Sequence, residues 1–443
     1  METTATQRLW YARGAKADLV IKGARVCDPS SSLDDVLDVA VAKGRIAQVG
    51  KDLDAPRGAT LREAHGALLL PGFVELHAHF RVPGQEESED LTTATAAAAR
   101  GGYVAAFGMA NTDPVVDNAA LFEGLAQRAQ AEASVPVGFY AAVSCGLKGQ
   151  QLTEMVELAQ AGAVGFSDDG VPLADANLLR RALQYCAVTG RYIAVHAQDA
   201  GLTRKGVMHE GTVSARLGLG GMPSIGESIE IGRDLEVAAY ENARLHLCHV
   251  STTASLEHLE RAKAAGAPVT AEVTPHHLVL TDEAVLSLDS NFKMNPPLRP
   301  EADRQALVEA LRSGLIDAVA TDHAPHCAEE KELPFEEAAF GIIGLETAFA
   351  VLYDALVRPG LLELGTLVER MSLAPARIAG IDAPAIAEGA EANLCVVDPE
   401  RVWTVGRDSL GSRSVNSAWL GRELGAQVVL TVAAGQVAWD GLA

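Results

Sequence analysis

His77 and His79 stand one residue apart at the end of the apolar run 71–80. On a β-strand, residues i and i+2 share a face, so both imidazoles would converge on one point at the strand's end. That is how a site for a first-row divalent metal begins, and it needs further ligands from elsewhere in the chain. Candidates follow other short apolar runs: Asp168 and Asp169 before Gly170, His196 after 192–195, His249 after 245–248, and Asp322 in the stretch 321–326 with His323 and His326. Four imidazoles and two carboxylates suit one or two divalent cations, with zinc the first choice. Each piece alone has a structural explanation. An H-x-H pair, a core histidine bonded to backbone, or an Asp-Asp-Gly turn all occur without metal. It is their joint placement at five strand ends that points to a site. His65, His209, His246, His258, His276 and His277 lack that placement and read as structural or surface residues; His246, three before His249, would face the other way on a strand.

The elements that must position these groups alternate. β-like runs at 72–79, 103–109, 135–143, 163–167, 192–196, 245–250, 269–274 and 317–321 are separated by segments of helical period, among them 91–100, 118–133, 151–161, 176–189, 253–265 and 301–313. Eight strands alternating with helices predict an α/β chain folded as a (β/α)8 TIM-like barrel over residues 71–380, whose reactive groups gather at the C-terminal strand ends. The ends read differently. Residues 17–49, 393–398 and 427–439 are short, β-branched and turn-bounded, and neither end alone has enough strands to bury a face. They predict one small β-sandwich domain built from both termini, residues 1–70 and 381–443.

Composition narrows the function. With 48% hydrophobic and 21% charged residues in 443, the chain reads as a globular protein with a large core. A net charge of −22 argues against a nucleic-acid surface, and an anionic substrate would need a local arginine working against that field. No apolar run approaches the roughly 18–20 residues that span a bilayer, and residues 1–18 carry no apolar h-region of a secretory leader. Six scattered cysteines with no C-x-x-C pair argue against a disulfide framework and fit a reducing, cytoplasmic setting.

The motifs together carry a resemblance. His77-Ala78-His79-Phe80-Arg81-Val82-Pro83-Gly84, Met109-Ala110-Asn111-Thr112, Phe166 through Gly170, Val195-His196, Cys248-His249-Val250-Ser251-Thr252, Thr274-Pro275-His276-His277, Lys293 through Arg299 and Thr321 through His326 run in order along nearly the whole chain. The set resembles the dihydroorotases of the cyclic amidohydrolase superfamily. It is most similar to the bacterial class I type, which has an aspartate where many relatives place a carboxylated lysine. The resemblance implies a barrel with a composite β-domain that binds zinc, one or two ions per subunit with two favoured. It also implies reversible hydrolysis of (S)-dihydroorotate to N-carbamoyl-L-aspartate in de novo pyrimidine synthesis. By position, His77, His79 and Asp322 would hold one metal, His196 and His249 a second, and Asp169 would bridge them. His79, Arg81, Asn111, Asn295 and His326, with the backbone at Phe340 and Gly341, would face the substrate. Asp322 would serve as the catalytic proton shuttle, and the Arg81 fork would grip the substrate carboxylate. A divalent cation brings the pKa of its water toward about 7, which supplies the nucleophile.

Three positions depart from the family pattern: Glu75 in place of Asp, Ala110 in place of Pro and Gln198 in place of Glu. None is an assigned ligand, so adjusted supporting hydrogen bonds are expected. The lysines nearest the fourth strand are Lys148 and Lys205, which excludes a carboxylated-lysine bridge there. The rival readings are another cyclic amidohydrolase, a hydantoinase or allantoinase, and an inactive dihydroorotase-like partner of aspartate carbamoyltransferase. The intact ligand set favours activity. The resemblance also allows a homodimer and a complex with aspartate carbamoyltransferase.

Overall fold

Strands buried on both faces carry no polar residue that needs water, and such strands pair in parallel between covering helices. Tyr103–Gly108, with all six residues buried, is of this kind. In the computed structural model, which describes residues 7–56 and 58–442, it pairs in parallel with Phe73–Ala78 on one side and Val137–Phe139 on the other. Residues 1–6, part of the stretch read as leaderless, lie outside the described residues. From Ala141 the pairing passes to Phe166 and on to Ile193, again in parallel. Ile193–Val195, Leu245–Leu247, Val269–Val273 and Ala318–Val319 continue the order. His323 then pairs in parallel with Ala78, so the order returns to its first member. The run 163–167 contributes only the bridges at Phe166 rather than a strand of its own, because the chain turns away at Asp168 to spend that carboxylate on the backbone N–H groups of Val143 and Ser144.

Helices fill the intervals where capping residues stand. Leu91–Arg100 starts at Asp90, whose carboxylate accepts from Thr93 N at 2.8 Å; Ala119–Glu132 starts at Asn118 and Thr253–Ala264 at Thr252, each accepting from a backbone N–H three residues on. Ala176–Thr189 and Glu301–Ser313 end at Gly190 and Gly314, both at positive φ. The longest helix, Ile225–Glu241, is not evident in the sequence: Gly226, Gly232 and three isoleucines dilute its helical signal. It forms because Ile231, Leu235 and Ala238 bury against the helices Ala176–Thr189 and Thr253–Ala264.

Strands from both ends of the chain share one eight-stranded sheet. Leu68–Pro71 pairs in parallel with Leu19–Asp28 and antiparallel with Leu394–Asp398, to which Gln427–Ala433 and Gln436–Asp440 are added. Alternation sorts its two faces. Leu19, Ile21, Val39, Val41, Leu69, Leu394, Val396 and Val432 form a core of their own. Leu68, Leu70, Cys395 and Val397 point the other way, into the large core around the parallel ring. Leu68–Pro71 runs almost directly into Phe73–Ala78, so this sheet anchors the strand that delivers the first two histidines.

Candidate metal centre and substrate pocket

The first strand carries His77 into the ring's interior, where the ring is fully buried. Its Nδ1 donates to Glu272 Oε1 at 2.8 Å, which leaves Nε2 facing Asp169 Oδ1 at 3.4 Å and Asp322 Oδ1 at 3.5 Å. His79 is fixed in the same way. Its Nδ1 donates to Asn111 Oδ1 at 2.9 Å, and its Nε2 lies 3.1 Å from Asp322 Oδ1 and 3.5 Å from Asp169 Oδ2. From the far side of the ring, His196 Nδ1 and His249 Nε2 each stand 3.7 Å from Asp169 Oδ1 and 2.9 Å from one another. Asp169 is therefore the centre: four imidazoles approach its two oxygens. Asp168 faces away on its structural bonds.

Two atoms test whether a cation fits. His77 Nε2 and Asp169 Oδ1 are buried and have no hydrogen-bond partner. A buried orphan normally costs about 1–3 kcal/mol, so a pair of them aimed at each other calls for a shared third party. Ligands at 2.0–2.1 Å from a tetrahedral zinc stand about 3.3 Å apart. The four contacts of His77 and His79 with Asp169 and Asp322, 3.1–3.5 Å, match that edge. The donor atoms of His77, His79 and Asp322, and those of His77, Asp169 and His249, each fall within 4.8 Å of one another. Nitrogen and carboxylate donors in this number suit zinc or a similar divalent ion.

The electrostatics follow from this crowding. Burial alone would push the Asp322 carboxyl up, but the His77 and His79 imidazoles outweigh it and hold it below the usual carboxylate range. Burial opposes a charged His77, yet Asp169 and Asp322 raise it well above an ordinary histidine. His196 is lowered by burial and by the neighbouring His249. Three groups at the strand ends, Arg81, His249 and Asp322, hold positive φ angles of 59°, 33° and 49°. Non-glycine residues adopt that region only when their surroundings enforce it, and they gather at functional sites.

Around this centre lies a cavity of about 270 Å3 lined by His79, Arg81, Asn111, Asp169, His196, His249, Asn295, Asp322, His326, Phe340 and Gly341, with Gly170 and Ala324. Every residue given a metal or substrate role in the sequence lines it except His77; Asp168 and His323, also picked out there, do not. Arg81 Nε donates to Pro325 O at 3.0 Å, and its Nη2 lies 3.3 Å from His326 Nε2. His326 Nε2 in turn donates to Phe340 O at 2.8 Å. Gly341 has φ +117°, and a Cβ there would stand 2.6 Å from the Ala324 methyl, so only glycine lets the backbone come this close.

The departures from the family pattern have partners. Glu75 accepts from His77 N and Thr321 N, tying the first strand to the segment that carries Asp322; burial raises its carboxyl to about 8. Gln198 Oε1 accepts from His196 Nε2 at 2.9 Å and from Asn295 Nδ2 at 2.6 Å. Ala110 is buried beside Asn111. Two supporting residues escaped the sequence reading. Glu272 bonds His77 with one oxygen and His246 Nε2 with the other, at 3.0 Å, and these histidines hold its carboxyl down to about 2 against the burial. An acid inside a fully buried strand was the available signal. His246 does point away from the cavity, but onto Glu272. Asn416, from the C-terminal segment, accepts from His326 N and donates to Ala324 O and Gly341 O.

Fold and site together define a metal-dependent hydrolase of the amidohydrolase type. L-Hydantoinase (dihydropyrimidinase) from Arthrobacter aurescens shares the fold with a TM-score of 0.85 at 25% identity, over 96% of each chain. A dihydropyrimidinase from Brevibacillus agri NCHU1002 gives 0.82 at 23%, over 96% of this chain and 95% of that one. A dihydro-orotase-like family model matches residues 66–255. The dihydroorotases of Geobacter metallireducens and Anaeromyxobacter dehalogenans are each 44% identical over 95% of this chain, covering 99% and 97% of theirs. The chain belongs to the dihydroorotase family.

Proposed function

We propose that this protein is a dihydroorotase, hydrolysing (S)-dihydroorotate reversibly to N-carbamoyl-L-aspartate in de novo pyrimidine synthesis in the cytoplasm. The observation that carries the reading is Asp169 encircled by four imidazoles, with Asp322 beside them and Arg81 opening onto the same cavity. His77, His79 and Asp322 would hold one zinc ion, His196 and His249 another, with Asp169 shared between the two. Bound there, the cations would acidify water and polarise the ring carbonyl. Asp322 takes the proton from the attacking water and returns it to the ring nitrogen as the bond opens. Arg81 presents its planar fork to the substrate carboxylate, while Asn111, Asn295, His326 and the backbone of Phe340 and Gly341 orient the ring. The ring of parallel segments is read as a (β/α)8 barrel of residues 71–380. The terminal sheet is read as a small sandwich of residues 1–70 and 381–443, folded over its separate core. A homodimer and a complex with aspartate carbamoyltransferase are compatible with this reading.

The likeness to L-hydantoinase makes hydantoin cleavage the second reading. Purified enzyme assayed side by side with dihydroorotate, hydantoin and allantoin separates the two. Turnover of dihydroorotate is expected; exclusive turnover of either other ring, or none at all with metal bound, would overturn the proposal.

A further inference from the structure

The segment 325–341 leaves the last strand of the ring, passes through His326 and the short helix Ala328–Lys331, and returns to the cavity at Phe340 and Gly341. It is a thin strap. On its inner side lies the 270 Å3 site cavity, and on its outer side another of about 520 Å3; His326 lines both. A wall hollow on both faces needs pins; Asn416 is one, and a lysine is another. Lys331 is only 6% exposed. Its ammonium donates to Ala339 O at 2.9 Å and Gly341 O at 3.0 Å, and reaches Lys293 O at 3.5 Å. Among the described residues no carboxylate forms an ion pair with it. Gly341 N donates to the same Lys293 carbonyl at 3.0 Å. Lys293, also buried, donates to Glu336 O and lies 4.5 Å over the Phe340 ring. Two residues beyond Lys293 stands Asn295, which also lines the cavity.

A buried ammonium without an anionic partner is a poor stabiliser, since taking the charge out of water costs more than neutral carbonyls return. An apolar side chain of the same length would fill the space at lower cost. What the ammonium supplies instead is three donors radiating from one point, which tie the segment ending at Phe340 and Gly341 to the segment leading to Asn295, both of which line the cavity. We propose that Lys331 is a positioning residue for substrate binding: its ammonium staples Phe340 and Gly341 to the Lys293 segment and thereby sets the width of the substrate mouth. The inference rests on the functional reading above. Lys293 and, while it holds its proton, Lys331 place positive charge behind the mouth within a chain of net charge −22, which favours an anionic ligand.

The test uses Lys331→Met and Lys331→Gln in the metal-loaded enzyme. Removing charge-assisted bonds to the strap is expected to raise KM for dihydroorotate about tenfold or more in the Met variant, with kcat and bound metal little changed. The Gln variant, which keeps two N–H donors, is expected to fall between Met and wild type. Hydrogen exchange at the Gly341 amide is expected to speed up about tenfold or more while the ring strands stay protected, a readout that needs no substrate. If wild type fails to turn over dihydroorotate, the functional reading fails but the exchange result still decides the strap. Where the Met variant does not fold, the Gln variant carries the same readouts. Turnover lost at unchanged KM, the sign of a merely structural lysine, or exchange at Gly341 unchanged would overturn the inference.

Discussion

Replacing Glu272 by Gln changes one oxygen of a carboxylate into an NH2 group at nearly constant volume. The carboxylate accepts two bonds at once, from His77 Nδ1 at 2.8 Å and His246 Nε2 at 3.0 Å, with all three groups buried. An amide can accept only one of them; its NH2 then faces an imidazole N–H. Either that bond is lost or the imidazole moves its proton to the other nitrogen. For His77 the second course puts the proton on Nε2, the atom aimed at Asp169 and Asp322, where it excludes a cation. Loss of such a supporting carboxylate costs about 10–100-fold in metal affinity, or roughly 1.4–2.7 kcal/mol. The metal-free protein should lose about 1–3 kcal/mol of stability for the unsatisfied buried group. Titrating stripped enzyme with zinc against a chromophoric chelator measures the first quantity, and urea unfolding of the metal-free protein the second. Zinc affinity within twofold of wild type would show that Glu272 does not set the His77 tautomer, and the account of the centre would fail at its base.

Asp322→Asn preserves shape but cannot carry the proton, so turnover should drop about 10²–10⁴-fold while the fold and most bound metal are retained; near-normal turnover rules out the shuttle. Arg81→Lys keeps the charge but not the planar fork, and is expected to raise KM for dihydroorotate about 10-fold or more with a smaller change in kcat. An equal fall in kcat with KM unchanged would remove Arg81 from carboxylate binding. Burial lowers Lys331 to about 7, against about 10.4 for a free lysine. Between those values the unfolded chain binds more protons, so this group makes stability rise with pH, by at most about 1.4 kcal/mol per unit. Urea unfolding at pH 7, 8 and 9 should show that rise in wild type and a flatter profile in Lys331→Met; parallel profiles would refute the lowered pKa.

The gathering of these side chains was legible in the sequence because they obey local rules. His77 and His79 share a face through the two-residue period, and His196, His249, Asp169 and Asp322 each follow a short apolar run. The supporting residues obey no such rule. Glu272 meets His77 across 195 positions and Asn416 meets His326 across 90, so neither pairing leaves a mark in the local pattern. Lys331 reads in sequence as one more surface lysine between Glu330 and Glu332; only the returning strap buries it. Among the elements, Ile225–Glu241 was hidden by its glycines and isoleucines, since tertiary burial rather than propensity makes it a helix. The run 163–167 looked like a strand but pairs only through Phe166, because the ladder there gives way to the Asp168 turn.

The shared terminal sheet has a consequence for synthesis on the ribosome. Leu68–Pro71 emerges early with one edge unsatisfied, and the strand that covers it, Leu394–Asp398, is made only after the whole parallel ring. The same late stretch delivers Asn416 to His326 and Gly341. Synthesis thus supplies every cation ligand, the last at Asp322, before Asn416, so a polypeptide released between the two would carry the ligands without the residue that completes the substrate mouth.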